Sequence, residues 1–493
     1  MISEHLPALQ VVLPLISAPL IVVVRREAFA WALATAVSWI GLAIAIELAM
    51  RTAESGVISY AIGNWPPPWG IEYRVDRLSS FVLVLVSLVG AIVMPYARAS
   101  VAAELPSERR YLFYSMYCLC LAGLLGITIT GDVFNLFVFL EISSLSAYVL
   151  IAMGQRRKAL FAAFQYLVLG TIGATFYVIG IGLLYLMTGT LNLADLAVRV
   201  AAVHELRPVL TALAFITVGI GMKLALFPLH QWLPNAYTYA PSVVTAFLAA
   251  TATKVSLYVL MRFYYVVFGN TLVFRTLPLA DVLLALSVVA ILTMSLVAVF
   301  QSDLKRMFAY SSVAQIGYIT LGIALTNATG LTGAIAHLFN HGMSKGALFL
   351  LAGGISLRCG GTSFAAIAGL GQRMPLTSLG IVIAGLSLIG VPATAGFTTK
   401  WYLIVGALER GYWWLAALIV MSSLIAVAYV WRFVEVAYLH TPGPESPHHG
   451  EMPLSMLVPA WLMVVGCVYF GLWTSFNIGV AGDAAELLLH IGR

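Results

Sequence analysis

The sequence predicts an all-α polytopic membrane protein of about fourteen transmembrane helices, and three observations lead there. Hydrophobic residues make up 61% of the 493-residue chain and charged residues only 9%, where a soluble domain carries about 25%. Mean hydropathy is +0.97, which excludes an ordinary cytosolic globular domain. Apolar runs of roughly 20 residues, enough to cross a hydrocarbon core of about 30 Å as a helix, recur from end to end. They are continuous and lack the period-2 alternation of a porin-like strand, so helices and not a barrel satisfy the backbone.

Spans are expected at 6–24, 29–50, 77–97, 110–129, 132–153, 158–187, 208–228, 241–268, 277–300, 304–325, 330–357, 375–396, 411–439 and 453–475. The stretch 191–207 differs. Leu191, Leu193, Leu196 and Val200 alternate there with Asp195, Arg199, Glu205 and Arg207, the pattern of a short helix lying in the membrane interface. Glu4 and His5 precede the first span in place of a basic region, and no small-residue cleavage site follows, so that span reads as retained.

The net charge of +6 comes from arginines at helix ends: Arg25–Arg26, Arg109–Arg110 and Arg156–Arg157. No basic stripe interleaved with aromatics occurs, which excludes a nucleic-acid partner. Counting basic residues in alternate connections instead places both termini on the outer face of a bacterial inner (cell) membrane. The Pro-rich connection 441–453, with His448 and His449, then reads as a flexible cytoplasmic loop and not as a metal site. Cys118, Cys120, Cys359 and Cys467 lack zinc, haem or iron–sulfur spacing and read as small hydrophobes. No cofactor and no metal are expected, and no phosphate loop, HExxH or Ser/His/Asp set marks an enzyme. Pairs such as Gly180 and Gly182 fall within a span, where helix packing accounts for them.

Two runs are interrupted. Phe227-Pro228-Leu229-His230-Gln231-Trp232-Leu233-Pro234 breaks one, and Gly390-Val391-Pro392-Ala393-Thr394-Ala395-Gly396 breaks another. Proline removes a backbone hydrogen bond, and in a membrane the freed carbonyls must find another partner. Paired broken helices point to a repeated transporter fold with its site near the midplane. Five spans separate the breaks, and a five-helix repeat reverses its orientation across the bilayer. The expected organisation is therefore 1–109 (helices 1–3), 110–270 and 271–440 (two inverted five-helix repeats), and 441–493 (loop and last helix).

Buried charge is the functional signal. There are six lysines. Lys158 and Lys305 are expected in cytoplasmic connections, while Lys223, Lys254, Lys345 and Lys400 are embedded in apolar sequence. Arginine, which cannot be deprotonated, stays at span ends; Arg262, Arg358 and Arg432 are close to theirs or long enough to snorkel. A desolvated lysine can lose its proton, so titratable cations in the bilayer suit proton movement. Glu141 lies nine residues past Asp132, about 13 Å deeper, near the middle of the core. His337, His341 and Lys345 follow at i, i+4 and i+8 and share one helix face. Simpler readings stand beside these: Glu141 as interhelical glue, Lys223, Lys254 and Lys400 snorkelling, His230 capping freed carbonyls, and His341 as a packed, bonded histidine.

At these residues the sequence resembles a known family. Gly131-Asp132-Val133-Phe134-Asn135-Leu136-Phe137-Val138-Phe139-Leu140-Glu141 resembles the fifth-helix signature of Mrp-type antiporter subunits. Leu226 to Ala236 with Ala240-Pro241-Ser242 resembles the seventh-helix motif. Asp303-Leu304-Lys305-Arg306 to Val313, and Phe339-Asn340-His341-Gly342-Met343-Ser344-Lys345, add two more. The superfamily includes the proton-pumping subunits of complex I, membrane-bound hydrogenases and Mrp sodium/proton antiporters. The resemblance implies a Glu–Lys pair at Glu141 and Lys223, a central lysine at Lys254, a histidine at His337 and a terminal group at Lys400. Phe134 to Glu141 and the Trp65-Pro66-Pro67-Pro68-Trp69 segment are most similar to the Mrp D subunit. That implies a non-enzymatic subunit of a sodium (or other monovalent cation)/proton antiporter with A, B, C, E, F and G partners. A subunit of a complex I-type or hydrogenase complex is the alternative.

Overall fold

In a computed structural model the described residues are 2–441 and 450–491; His448 and His449 lie outside them. α1 (Leu6–Val24) and α2 (Glu27–Ser55) come first. The chain then forms a short antiparallel ribbon that hydropathy does not reveal, β1 (Ile58–Ala61) paired with β2 (Glu72–Val75). This ribbon marks one side of the bundle, the hairpin face. Asp76 starts α3 (Arg77–Glu104) through a reciprocal capping box: its carboxylate accepts from the Ser79 amide at 3.0 Å, and Ser79 Oγ accepts from the Asp76 amide at 2.7 Å. α4 (Ser107–Ile129) returns to the hairpin face, and Asp132 caps α5 (Val133–Ala152) by accepting from the Phe134 and Asn135 amides.

α6 (Arg157–Thr188) leads to α7 (Leu193–Ala201), the expected interfacial helix, with Leu193, Leu196 and Val200 buried. α8 (Leu206–Leu224) and α9 (Trp232–Tyr239) are the pieces of the first broken helix, followed by α10 (Ser242–Met261) and a π-helical turn Arg262–Val267. Then come α11 (Leu279–Val299), α12 (Leu304–Ala324), α13 (Ala328–Cys359), a turn α14 (Leu370–Arg373), the second broken pair α15 (Pro375–Ile389) and α16 (Ala395–Glu409), and α17 (Trp413–Val434). α18 (Leu454–Leu472) is the last expected span, and α19 (Asn477–Ile491) is an additional helix.

Among the described residues twelve helices are long and apolar enough to cross a membrane. The two other expected spans are α13, whose His337, Asn340, His341 and Lys345 lower its hydropathy, and the broken α15. Both breaks come earlier than the apolar runs suggest. α8 stops at Leu224, where Ala225 is left-handed at φ 60°; a continued helix would set Pro228, which has no N–H, against the Leu224 carbonyl. α15 stops at Gly390, φ 88°, a conformation glycine adopts without penalty. The chain then resumes as a full helix, α16, across a stretch expected to be largely a connection.

The halves are spaced alike. α6 and α13 both contain 32 residues and start equally far after the caps Asp132 and Asp303. Asp132 bridges to Asn192, and Asp303 to Ser363 at the same separation. Val133 N donates to Leu191 O at 2.8 Å and Leu304 N to Thr362 O at 2.8 Å.

α13 lies at the centre and packs on α10, α12, α15, α16, α18 and α19. α3, α10 and α12 are also buried over most of their length, whereas α6 and α17 turn Phe161, Phe164, Met421 and Leu424 outward, as helices solvated by lipid do. A Cβ on Gly123 would stand 2.6 Å from the Ser143 amide nitrogen, so α4 and α5 touch through bare backbone. Gly180 is similarly tight against Ile216, but Gly182 faces open space, so packing accounts for only one of that pair. Gly123→Ala should therefore cost about 1–3 kcal/mol through overpacking, read as a lower thermal midpoint in detergent. Gly182→Ala should leave that midpoint unchanged or slightly raised.

Candidate functional site: buried lysines and histidines along the bundle

In the first half α5 and α8 bring Glu141 and Lys223 together. Lys223 Nζ lies 3.0 Å from Glu141 Oε1 and donates to Ser144 Oγ at 2.9 Å. The lysine side chain is 3% exposed and the glutamate 23%. Lys223 sits one residue before the end of α8, and the break beside it is closed by Trp232, whose indole donates to the Met222 carbonyl at 2.9 Å and stacks on Tyr166 at 3.7 Å. Between Lys223 and α10 is a cavity of about 20 Å³ lined by Ser143, Ser144, Tyr166, Ala252 and Ser256, room for one water. His230 lies partly buried in the α8–α9 loop with its ring on Phe227.

Lys254 on α10 is 1% exposed, and its amine donates to the Ala249 carbonyl and to Thr253 Oγ1. Lys254, His337, His341 and Lys345 are within electrostatic range of one another, because α10 packs directly on α13. Lys345 is fully buried and donates to the Phe308 carbonyl at 2.7 Å and to Ser311 Oγ. Among the described residues His341 has no hydrogen-bond partner at either ring nitrogen, and its ring lies nearly parallel to that of His337 at 5.9 Å. It is packed, as the simpler reading holds, but not bonded.

His337 is bonded at both nitrogens, to Thr399 Oγ1 and to Gln315 Oε1, each at 2.8 Å. Thr399 adjoins Lys400, so the histidine touches the second broken helix directly. Lys400 Nζ donates to the carbonyls of Leu388 and Ile389 at 3.0 and 2.8 Å and to Ser423 Oγ at 2.9 Å. Those carbonyls are the free C-terminal ones of α15, where the helix dipole favours a cation. The Tyr318 ring lies 4.8 Å from the ammonium and 5.8 Å from the His337 ring.

Lys223, Lys254 and Lys400 therefore do not snorkel. Lys305 is a correction: expected in a cytoplasmic connection, it is 5% exposed, because α12 begins under the 362–364 segment and turns this side chain inward to donate to Ser242 Oγ at 2.9 Å. Ser242 N in turn donates to Glu104 Oε2. Arg262 lies at the end of α10, as expected, and does not snorkel, because it forms a buried ion pair with Asp76. Gln315, Tyr318 and Thr399 carry no distinguishing signal in the sequence, since neutral polar residues in apolar runs are common; only the packing of α12 and α16 on α13 reveals them.

The model of the family described as NADH:quinone oxidoreductase/Mrp antiporter, TM, matches residues 130–426. The NADH-quinone oxidoreductase subunit N of Desulforudis audaxviator is 44% identical, over 99% of both chains. The D subunit of the Na(+)/H(+) antiporter of Bacillus subtilis is 31% identical, over 98% of this chain and 97% of the other. A solved chain of the Mrp complex from Dietzia sp. DQ12-45-1b superposes with a TM-score of 0.91 at 27% identity, covering 99% of this chain and 98% of its own. A chain of the archaeal membrane-bound sulfane sulfur reductase does so with 0.89 at 29% identity and the same coverage. The resemblance drawn from the motifs is borne out: the chain belongs to the NADH:quinone oxidoreductase/Mrp antiporter transmembrane family.

Proposed function

We propose that the chain is a proton-translocating membrane subunit of a multisubunit monovalent cation (sodium)/proton antiporter, a transporter component and not a catalytic enzyme. Its partners are of the Mrp A, B, C, E, F and G type, and it sits in the bacterial cell membrane with both termini outside. In this reading 110–270 and 271–440 are inverted repeats, a reading that the equal spacing of caps and helices supports.

One observation carries the proton path. Among the described residues Lys223 alone of the four embedded lysines has a carboxylate partner; Lys254, Lys345 and Lys400 donate to carbonyls and hydroxyls. Neutral oxygens accept from an amine as well as from an ammonium, so these sites hold lysine in either protonation state. Protons pass along Glu141, Lys223, Lys254, His337 and Lys400 through intervening waters, with charge repulsion driving each step. A proton on Lys223 is held by Glu141 and released onward when another charge draws Glu141 away. His341, with both nitrogens free of protein partners, and Lys345 stand beside the central step.

A second reading has its own support. The 44% identical relative is named as a subunit of NADH-quinone oxidoreductase, so a proton-pumping role in a redox-driven complex is the alternative. The two are separated in everted vesicles: proton movement driven by an added sodium gradient alone favours the antiporter, and movement that requires an electron donor favours the redox complex.

Glu141→Ala should abolish driven proton exchange in vesicles while the complex still assembles, because Lys223 loses the carboxylate that holds its proton; full activity in that variant would defeat the path. Lys254→Arg keeps a cation that cannot release its proton, and exchange should fall to background while the subunit remains in the membrane. Gln315→Leu removes one of the two partners that orient His337, and should slow exchange several-fold without abolishing it, measured as the initial rate of proton uptake.

A further inference from the structure

Lys254, Tyr258 and Arg262 follow one another at i, i+4 and i+8 on α10 and its π-helical turn, and so form a column along one helix face. The Arg262 guanidinium lies 5.0 Å over the Tyr258 ring, and the Tyr258 hydroxyl donates to the Thr128 carbonyl at 3.0 Å. Arg262 is held by Asp76, and both side chains are under a tenth exposed. Immediately beyond lies a cavity of about 410 Å³ on the hairpin face, its polar end formed by Arg74, Asp76, Tyr258 and Arg262 and the rest of its wall mostly apolar, with Leu193, Val198 and Val266. One aromatic ring and one ion pair thus separate a titratable lysine from a cavity large enough for several waters.

A lysine able to exchange its proton so near such a cavity would short-circuit a coupled transporter unless something stops the proton. Arginine does this in pores, since it repels cations and does not give up its own proton. We propose that Asp76, Arg262 and Tyr258 form an electrostatic seal that keeps the proton on Lys254 from leaving through the hairpin-face cavity. Asp76 fixes the guanidinium over the Tyr258 ring, where its permanent charge stands between Lys254 and the cavity. The proposal rests on the relay reading, in which Lys254 carries a proton. An ion pair that served only to hold α3 against α10 would have no effect on proton flow.

The test uses the whole complex in vesicles and measures passive proton flow after a pH step, with no sodium gradient and no electron donor. In Asp76→Asn/Arg262→Gln, which leaves no unpaired charge, flow should rise several-fold, and adding Lys254→Met should return it to the unaltered level. No rise, or a rise that persists with Lys254→Met, overturns the seal. Should the double variant fail to assemble, Arg262→Lys decides alone: it retains the charge but can release a proton, so it should leak, and a tight membrane overturns the proposal. Failure of the relay reading looks different, because Lys254→Met by itself would then leave sodium-driven exchange intact.

Discussion

A hydrocarbon core offers no water to a buried ammonium, so each embedded lysine must sit where the fold leaves oxygen atoms free. Helices use up their own carbonyls, and only a few places escape that rule. Lys400 occupies one: breaking the helix at Gly390 frees the Leu388 and Ile389 carbonyls, and the amine takes both. Lys345 uses the Phe308 carbonyl, which also accepts from the hydroxyls of Ser311 and Ser312. Lys223 is supplied by a carboxylate and a serine on a neighbouring helix. Lys254 instead draws on the Ala249 carbonyl and Thr253 hydroxyl of its own helix, while the second break, the serines in α5 and α12 and Glu141 supply the oxygens for the other three.

The halves match in spacing yet differ at their breaks. In the first, the freed carbonyl is closed by Trp232, whose indole hydrogen is permanent, and the nearby lysine is balanced by Glu141. In the second, the closing group is Lys400 itself, which among the described residues has no acid beside it. The two breaks thus differ in which side chain fills the gap, an indole in one and an ammonium in the other.

Much of this is legible in the sequence because charge in an apolar run is rare and costly. Glu141, the four lysines and the His337–His341–Lys345 stripe stand out for that reason, and the two proline breaks stand out because proline cannot continue a helix. What escapes a sequence reading lacks such contrast. The β ribbon 58–75 and α19 are short elements outside the spans, where hydropathy is silent. Lys305 is misplaced by sequence because it follows Ser302 and Asp303 at a helix start, and sequence does not tell which way a first-turn side chain turns. Asp76 and Arg262 are far apart in the chain, and each alone looks like an ordinary interfacial residue; only their meeting removes both from water.

The sorting of cation types carries the argument furthest. Several arginines are tied to acids, as Arg110 to Glu27 and Arg262 to Asp76, or to carbonyls at or beyond helix ends, as Arg432 to Val299 and Gln301 and Arg358 to Glu451. Each is a place where a fixed positive charge is balanced or lies near an end of the bundle. All the lysines but Lys158 are buried, and of the four within the spans three have, among the described residues, only neutral acceptors. Exchanging the two types would leave a permanent charge without a counter-ion in the centre, several kcal/mol uphill in practice, and a removable one at the rim. Arginine thus sits where a fixed charge is balanced, and lysine where the acceptors are mostly neutral; on α10 the boundary between them falls at Tyr258, between Lys254 and Arg262.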